Sequence, residues 1–427
     1  MKLPYAVVEF AKDGEVADPG QVDAALAMLD REKPTDVLLV SHGWNNDRAA
    51  AERLFTRLTD NVADLIPAGS AAKLAVIGIV WPSLRWADEA EATGGGASVG
   101  DELGDLSAAI AQSVDDPELA DRLTALAGRL DSAEGRAKFL SATRDLLPEP
   151  AGPGKADEEP APAALRSGEA ESVFDAVRVV LADSDDDLGE GTAASGGAPG
   201  VAPDLLDEGT SGAGLFGMSW PELGRQVLNT MTFYTMKARA GDVGARGVAP
   251  LVDRINAAAP GLRVHLAGHS FGGRVMAAAA SNIKTPVESL TLLQGAFSHY
   301  GFTADYAGSG RDGAFRGALA NGLIHGPVVI SHTHNDKSIR LAYATAARLA
   351  GQAGAALGDR GDLYGGLGAN GSQGTDAVEG VLGDATARYR FEAGRVYNLN
   401  ADRTIASHGD VSNPAAANAL AQAMGLR

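Results

Sequence analysis

Cysteine is absent from all 427 residues. Disulfides, thiolate metal centres and a cysteine nucleophile are excluded together, which fits a reducing compartment. Positive charge is scarce: 36 Lys and Arg against 55 Asp and Glu leave a formal net charge of -19. Nucleic acid and anionic membrane surfaces both select a basic face, so neither is an expected partner. Long apolar runs are missing as well. No stretch approaches the roughly 18 unbroken apolar residues that a membrane span needs, and the opening MKLPYAVVEFAKDGE lacks the apolar core of a signal peptide. A cytoplasmic protein with no membrane span is expected, and a neutral or apolar small molecule stays open as its partner.

What the chain does have is a series of short runs rich in Val, Ile and Leu, at 35–40, 74–80, 262–267, 290–293, 328–331 and 396–399, with a further strand plausible at 5–10. Most are followed by loop residues and then by a helix-like stretch. That alternation is expected of an α/β fold: a mostly parallel central sheet with helices on both faces. The alternation breaks between the second and third runs, so residues 1–87 and 221–427 are read as the core and 88–220 as an insertion. In the insertion Leu119, Leu123, Leu126 and Leu130 keep the helical period. The Pro-, Gly- and acid-rich stretches 147–163 and 182–213 carry too little apolar surface to offset ordering, so mobility is expected there, with a short helix near 172–182 between them. The Gly-rich segment 351–383 reads as a loop insertion of the same kind.

The sequence HLAGHSFGGR, 265–274, places Ser270 among Gly268, Gly272 and Gly273 directly after an apolar run. Gly-x-Ser-x-Gly between a strand and a helix is the pattern of a sharp turn that strains the serine backbone and lifts its hydroxyl above the sheet. A serine that merely caps the following Ala-rich helix would leave Gly268, His269 and Gly273 unexplained.

A serine hydroxyl is a poor nucleophile at pH 7 and needs a base, itself oriented by a third group. Of the eight histidines, His265 falls inside a strand and His269 is expected to turn its ring away from Ser270. His408, in TIASHGDV after the last apolar run, belongs to the carboxyl edge of the sheet, the same edge as Ser270. Asp336, in SHTHNDKSIR one strand earlier, reaches that edge too; a helix cap is its plain alternative role. Asp402 and Asp410 are nearer His408 in sequence but would need an unusual loop path. His332 and His334 alternate along the same segment without a third ligand at recognisable spacing, so they read as polar residues at the pocket edge and no metal is expected. Upstream, DVLLVSHGWNND ends a strand with His42, Gly43 and Trp44. An acyl-transfer site needs two backbone N–H donors, one from the residue after the nucleophile and one from a loop after an early strand. Phe271 and Trp44 fill those places, with His42, Gly43, His269 and Trp81 expected around the substrate.

GHSFGG, the HGW turn and the chain order Ser270, Asp336, His408 resemble the α/β-hydrolase superfamily, in particular its serine esterase and lipase-like members. The resemblance covers residues 36–84 and 223–416. VWPSLRW (80–86) and YTMKARAGDVG (234–244) also resemble little-characterised bacterial members. The resemblance implies an eight-stranded, mostly parallel sheet and a triad mechanism without cofactor: Ser270 as nucleophile, His408 as base and then acid, Asp336 as its orienting carboxylate, and the N–H groups of Trp44 and Phe271 as oxyanion hole. The Asp336–His408 spacing is longer than usual in the superfamily, by the segment 351–383. The insertion is expected to form a cap near 102–130, and its acidity to disfavour anionic acyl donors. The expected reaction is hydrolysis of a small or medium carboxylic ester; a thioesterase, amidase or acyltransferase would carry the same triad. A non-catalytic binding or scaffolding module and, more remotely, a metal hydrolase built on His332 and His334 are the alternatives from other classes.

Overall fold

The structure is a computed structural model that describes residues 1–44, 46–67, 73–83, 102–148, 161–186, 218–351 and 360–427. Strands and helices alternate through the core: β1 (Tyr5–Glu9), α1 (Pro19–Glu32), β2 (Asp36–Ser41), α2 (Arg48–Leu65) and β3 (Leu74–Val80). After the insertion come α8 (Trp220–Asp242), α9 (Ala249–Ala258), β4 (Arg263–His269), α10 (Phe271–Asn282), β5 (Ser289–Leu293), α11 (Arg316–Ala320), β6 (Val328–His332), α12 (Lys337–Leu349), α13 (Leu367–Asn370), β7 (Val378–Val381), β8 (Val396–Asn400) and α14 (Pro414–Ala423). The insertion itself holds α3 (Glu102–Ser113), α4 (Pro117–Ala127), α5 (Ala133–Thr143), α6 (Ala163–Ser167) and α7 (Ala170–Asp186).

The eight strands form one sheet in the order β1-β3-β2-β4-β5-β6-β8-β7, and each neighbouring pair is parallel. A parallel sheet is covered on both faces, which is why β2 and β3 are buried at every position and read as unbroken apolar runs. Alternate residues feed two cores. Leu38, Val40, Val76 and Ala267 pack under α2 and α14, with Phe55, Leu58, Leu420 and Met424. Val37, Leu39, Ile77 and Leu266 face the other layer, with Leu228, Met231 and Val275.

Seven of the strands coincide with the apolar runs, whereas β7 was hidden in the segment expected to be a loop. It is a four-residue edge strand, VEGV, only half covered. An edge strand with one dry face needs no apolar run, and Gly380 breaks what pattern there is. The 172–182 helix extends to the whole of α7. Most of the two stretches expected to be mobile, namely 149–160 and 187–213, lies outside the described residues.

The insertion helices are a second layer behind the first. α3 packs on α4 and α8, and α7 on α5, α8 and α12. Leu106, Ile110, Leu123, Leu130, Phe139 and Phe174 are at most 1% exposed and belong to the same apolar core as the sheet. Gly224 of α8 makes room for them: a Cβ there would stand 2.6 Å from Leu130 Cδ1. Among the described residues no helix is long and apolar enough to cross a membrane.

Candidate active site

β4 runs straight into α10 with Ser270 as the single joint between them. Its backbone is held at φ 56° and ψ -125°, a conformation that costs a non-glycine residue on the order of 1–3 kcal/mol and persists only where surroundings enforce it. Here they do. Ser270 N–H donates to Leu293 O at 3.1 Å, and Ser270 O accepts from Gly273 N at 2.9 Å and Ala296 N at 3.0 Å. The flanking glycines are required by contact: a Cβ on Gly268 would lie 2.2 Å from Gly272 O, and one on Gly272 2.3 Å from Ser41 O.

Ser270 lines a cavity of about 770 Å³ at the carboxyl edge of the sheet. It is only 4% exposed, more recessed than the exposed hydroxyl a sharp turn suggests. Trp44, Phe233, Phe271, Ile339 and Ala342 supply the apolar lining, and Asn46, Arg53, Arg57, His269, Asn335, Lys337 and His408 the polar one. Phe233 is central to the apolar part, with ring centroids 5.2 Å from Phe271, 6.0 Å from Tyr343 and 6.3 Å from Trp44. A second cleft of about 690 Å³ at the opposite edge of the sheet contains neither Ser270 nor any histidine.

His408 and Asp336, 72 residues apart, meet: His408 Nδ1–H donates to Asp336 Oδ2 at 2.8 Å. Asp336 is fully buried. Its other oxygen accepts from Ile339 N at 3.0 Å, so the same carboxylate caps α12. The two roles foreseen for it are therefore filled at once, one per oxygen. The competing acids point elsewhere: Asp402 accepts from Thr333 Oγ1 and His334 N, and Asp410 from Ala406 N. With Nδ1–H committed to Asp336, His408 Nε2 is left as the ring's acceptor, and the ring lines the cavity with Ser270. Among the described residues no hydrogen bond joins Ser270 Oγ to His408. Such bonds are often long in ligand-free sites and tighten with substrate.

His269, whose ring was expected to turn away from Ser270, lines the same cavity as Ser270. A Cβ on Gly43 would lie 3.2 Å from both His269 Nδ1 and Ser270 Oγ, so all three crowd one spot. His269 Nε2–H donates to the main-chain O of His408 at 2.9 Å, and the two rings are 4.8 Å apart. Burial, reinforced by the neighbouring His408, pushes the His269 pKa down to about 3. It is a neutral strut that fixes the His408 loop.

His42 and Trp81, expected beside the substrate, stand behind the loop instead, 0% and 2% exposed. His42 Nδ1–H donates to Gly43 O at 2.8 Å, and its Nε2 accepts from Trp81 N at 3.2 Å. The rings stack at 5.6 Å. Burial lowers the His42 pKa to about 4. Together they clamp the turn that carries Trp44 onto the end of β3. Gly43 does not line the cavity either; it serves by lacking a side chain where Ser270 Cβ would be 2.6 Å away. Phe271 N–H, at the first position of α10, has no acceptor within its helix, as at any helix start.

His332 and His334 leave the pocket edge. His332 is 2% exposed at the end of β6, with burial lowering its pKa to about 4, and His334 is paired with Asp402. No group of three or more potential metal ligands is found among the described residues. His265 belongs to another Ser-His-Asp constellation, with Nδ1 2.8 Å from Ser289 Oγ and Nε2 3.0 Å from Asp36 Oδ1. All three are at most 1% exposed, so no substrate reaches them and they tie β2, β4 and β5 together.

The two stretches of unassigned role support the elbow. Gly244, in YTMKARAGDVG, would place a Cβ 2.2 Å from Val275 O, so the glycine lets α10 pack against the π-helical turn Val243–Val248. Lys237 O accepts from Arg274 Nε at 2.7 Å. The first stretch reaches VWPS: Arg239 Nη1 donates to Pro82 O at 2.8 Å, and Ser83 Oγ to Asn46 O at 2.8 Å. Asn46 Nδ2 then holds Gly43 O and Trp44 O at 3.2 and 3.0 Å. Residues 84–86 lie outside the described residues.

Comparison of the chain with protein-family models, curated proteins and solved structures returns no match.

Proposed function

We propose that this protein is a serine hydrolase of the α/β-hydrolase type that cleaves carboxylic esters through an acyl-enzyme. The observation that carries this reading is the strained Ser270 elbow sharing one cavity with an imidazole whose far nitrogen is tied to a buried carboxylate. In this reading His408 Nε2 takes the Ser270 proton as Oγ attacks the carbonyl carbon. The tetrahedral oxyanion is met by Phe271 N–H and Trp44 N–H. His408 returns the proton to the departing alcohol, then activates a water that releases the acid and restores Ser270. Asp336 holds the ring and stabilises the imidazolium. The elbow, the order Ser270, Asp336, His408 and the strand order around them all support membership of that fold.

Ser270→Ala should fold normally and lose p-nitrophenyl ester turnover by several orders of magnitude. Retention of more than about a tenth of the rate would remove Ser270 from the mechanism. A non-catalytic binding module is favoured by one observation, the missing Ser270–His408 hydrogen bond. It predicts a wild-type protein inert toward every ester and unchanged by Ser270→Ala.

A further inference from the structure

The lining of the cavity has a charge opposite to that of the chain. The protein carries 55 acidic residues against 36 basic, yet among the described residues that line the cavity there is no Asp or Glu, while Arg53, Arg57 and Lys337 all belong to it. Arg53 and Arg57 lie one helical turn apart on α2, on the same face. Neither makes an ion pair or hydrogen bond among the described residues, whereas Arg48, at the start of the same helix, is paired with Glu52 and Glu9. Lys337 comes from the first turn of α12, from a different element. Trp44, Phe233, Phe271, Ile339 and Ala342 supply apolar lining to the same cavity.

Resting on the hydrolase reading above, we infer that the substrates of this site carry an anionic group, carboxylate or phosphate, held by Arg53 and Arg57 with Lys337 while the scissile carbonyl reaches Ser270. Guanidinium groups present fixed forks of donors that match carboxylate and phosphate oxygens, and a concave site with one sign of charge concentrates ions of the other. The apolar lining takes the hydrocarbon part of the same molecule. This reverses the sequence-based expectation that the acidity of the insertion would disfavour anionic acyl donors, because the residues that meet the ligand are the basic ones. Helical spacing alone could not reveal it: two arginines at i and i+4 on an amphipathic helix read as a solvated face.

The test compares kcat/KM for mono-p-nitrophenyl glutarate, p-nitrophenyl butyrate and 4-acetoxybenzoate, which place the charge on the acyl side, nowhere, and on the alcohol side. Wild type should favour one of the anionic esters over butyrate, and the double variant Arg53→Gln/Arg57→Gln should reduce that anionic-to-neutral ratio by about tenfold or more, chiefly through KM. Free glutarate and inorganic phosphate as competitive inhibitors, read in both proteins, identify which anion the arginines prefer. Equal ratios in wild type and variant, with Ser270-dependent turnover of butyrate intact, would overturn the anionic specificity and leave the hydrolase standing. Absence of turnover on all three esters, together with a Ser270 inert to acylating reagents, would overturn both.

Discussion

At the scale of the residue, Asp336 is the acid the sequence prefers over Asp402 and Asp410, and it is the one whose carboxylate meets His408. Its Oδ2 receives the His408 Nδ1–H at 2.8 Å while Oδ1 caps α12, so an amide there would lose both acceptance geometry and the charge facing the imidazolium. If Ser270 hydrolyses esters as proposed, Asp336→Asn is therefore expected to lower that rate by roughly 10⁴. Asp402→Asn and Asp410→Asn should stay within a few fold of wild type, since both carboxylates spend their bonds on loop backbone and on Thr333 and His334. Steady-state kinetics on one activated ester reads all three; the opposite ranking would move the orienting acid to the His408 loop. Ser270, Asp336 and His408 were legible because each follows the end of a strand, and parallel strands put those ends on one edge. The role of His42 was not: it stands behind the loop, bonded to Gly43 O and Trp81 N. His269 lines the cavity as expected, and only its bond to His408 O shows that it also holds the His408 loop.

At the scale of the element, the insertion helices behave as core. The heptad-like leucines made α4 legible, but period alone does not say what a helix covers. Here α4 packs on α3 and α5, its buried Leu119 and Leu123 belong to the core apolar layer, and among the described residues none of α3–α7 lines the cavity. Their influence on the site passes through α8 and α12, which carry Phe233 and Ile339. Phe139 of α5 is fully buried in that layer, so Phe139→Ala should cost about 3–5 kcal/mol of unfolding free energy. Chemical denaturation measures it; a loss below about 1 kcal/mol, far short of a core phenylalanine, would show that the layer is separable from the sheet. β7 was illegible for the converse reason, that an edge strand can be short and half polar.

At the scale of the whole molecule, four histidines are buried in neutral form. Desolvation lowers His269 to about 3 and His42, His299 and His332 to about 4. In the unfolded chain each returns to an ordinary value near 6.5. Below about pH 6.5 the unfolded state therefore binds more protons than the folded one, and stability falls as pH drops toward 4, each histidine contributing up to about 1.4 kcal/mol per pH unit within that window. Above pH 7 these groups are neutral in both states and contribute no slope. Unfolding free energies measured between pH 7.5 and 4.5 should thus decline steeply before ordinary carboxylates begin to titrate, and a flat profile down to pH 5 would mean that the four rings are hydrated or paired in solution.

The proposed hydrolase function stands or falls on one atom, Ser270 Oγ. Wild-type protein is incubated with a fluorophosphonate, and the modified peptide is located by mass spectrometry, with Ser270→Ala and Asp336→Asn run alongside. A single adduct on Ser270, fast in wild type, absent in Ser270→Ala and much slowed in Asp336→Asn, is the predicted result. A folded wild-type protein that remains unlabelled, or an adduct on another serine, would contradict it.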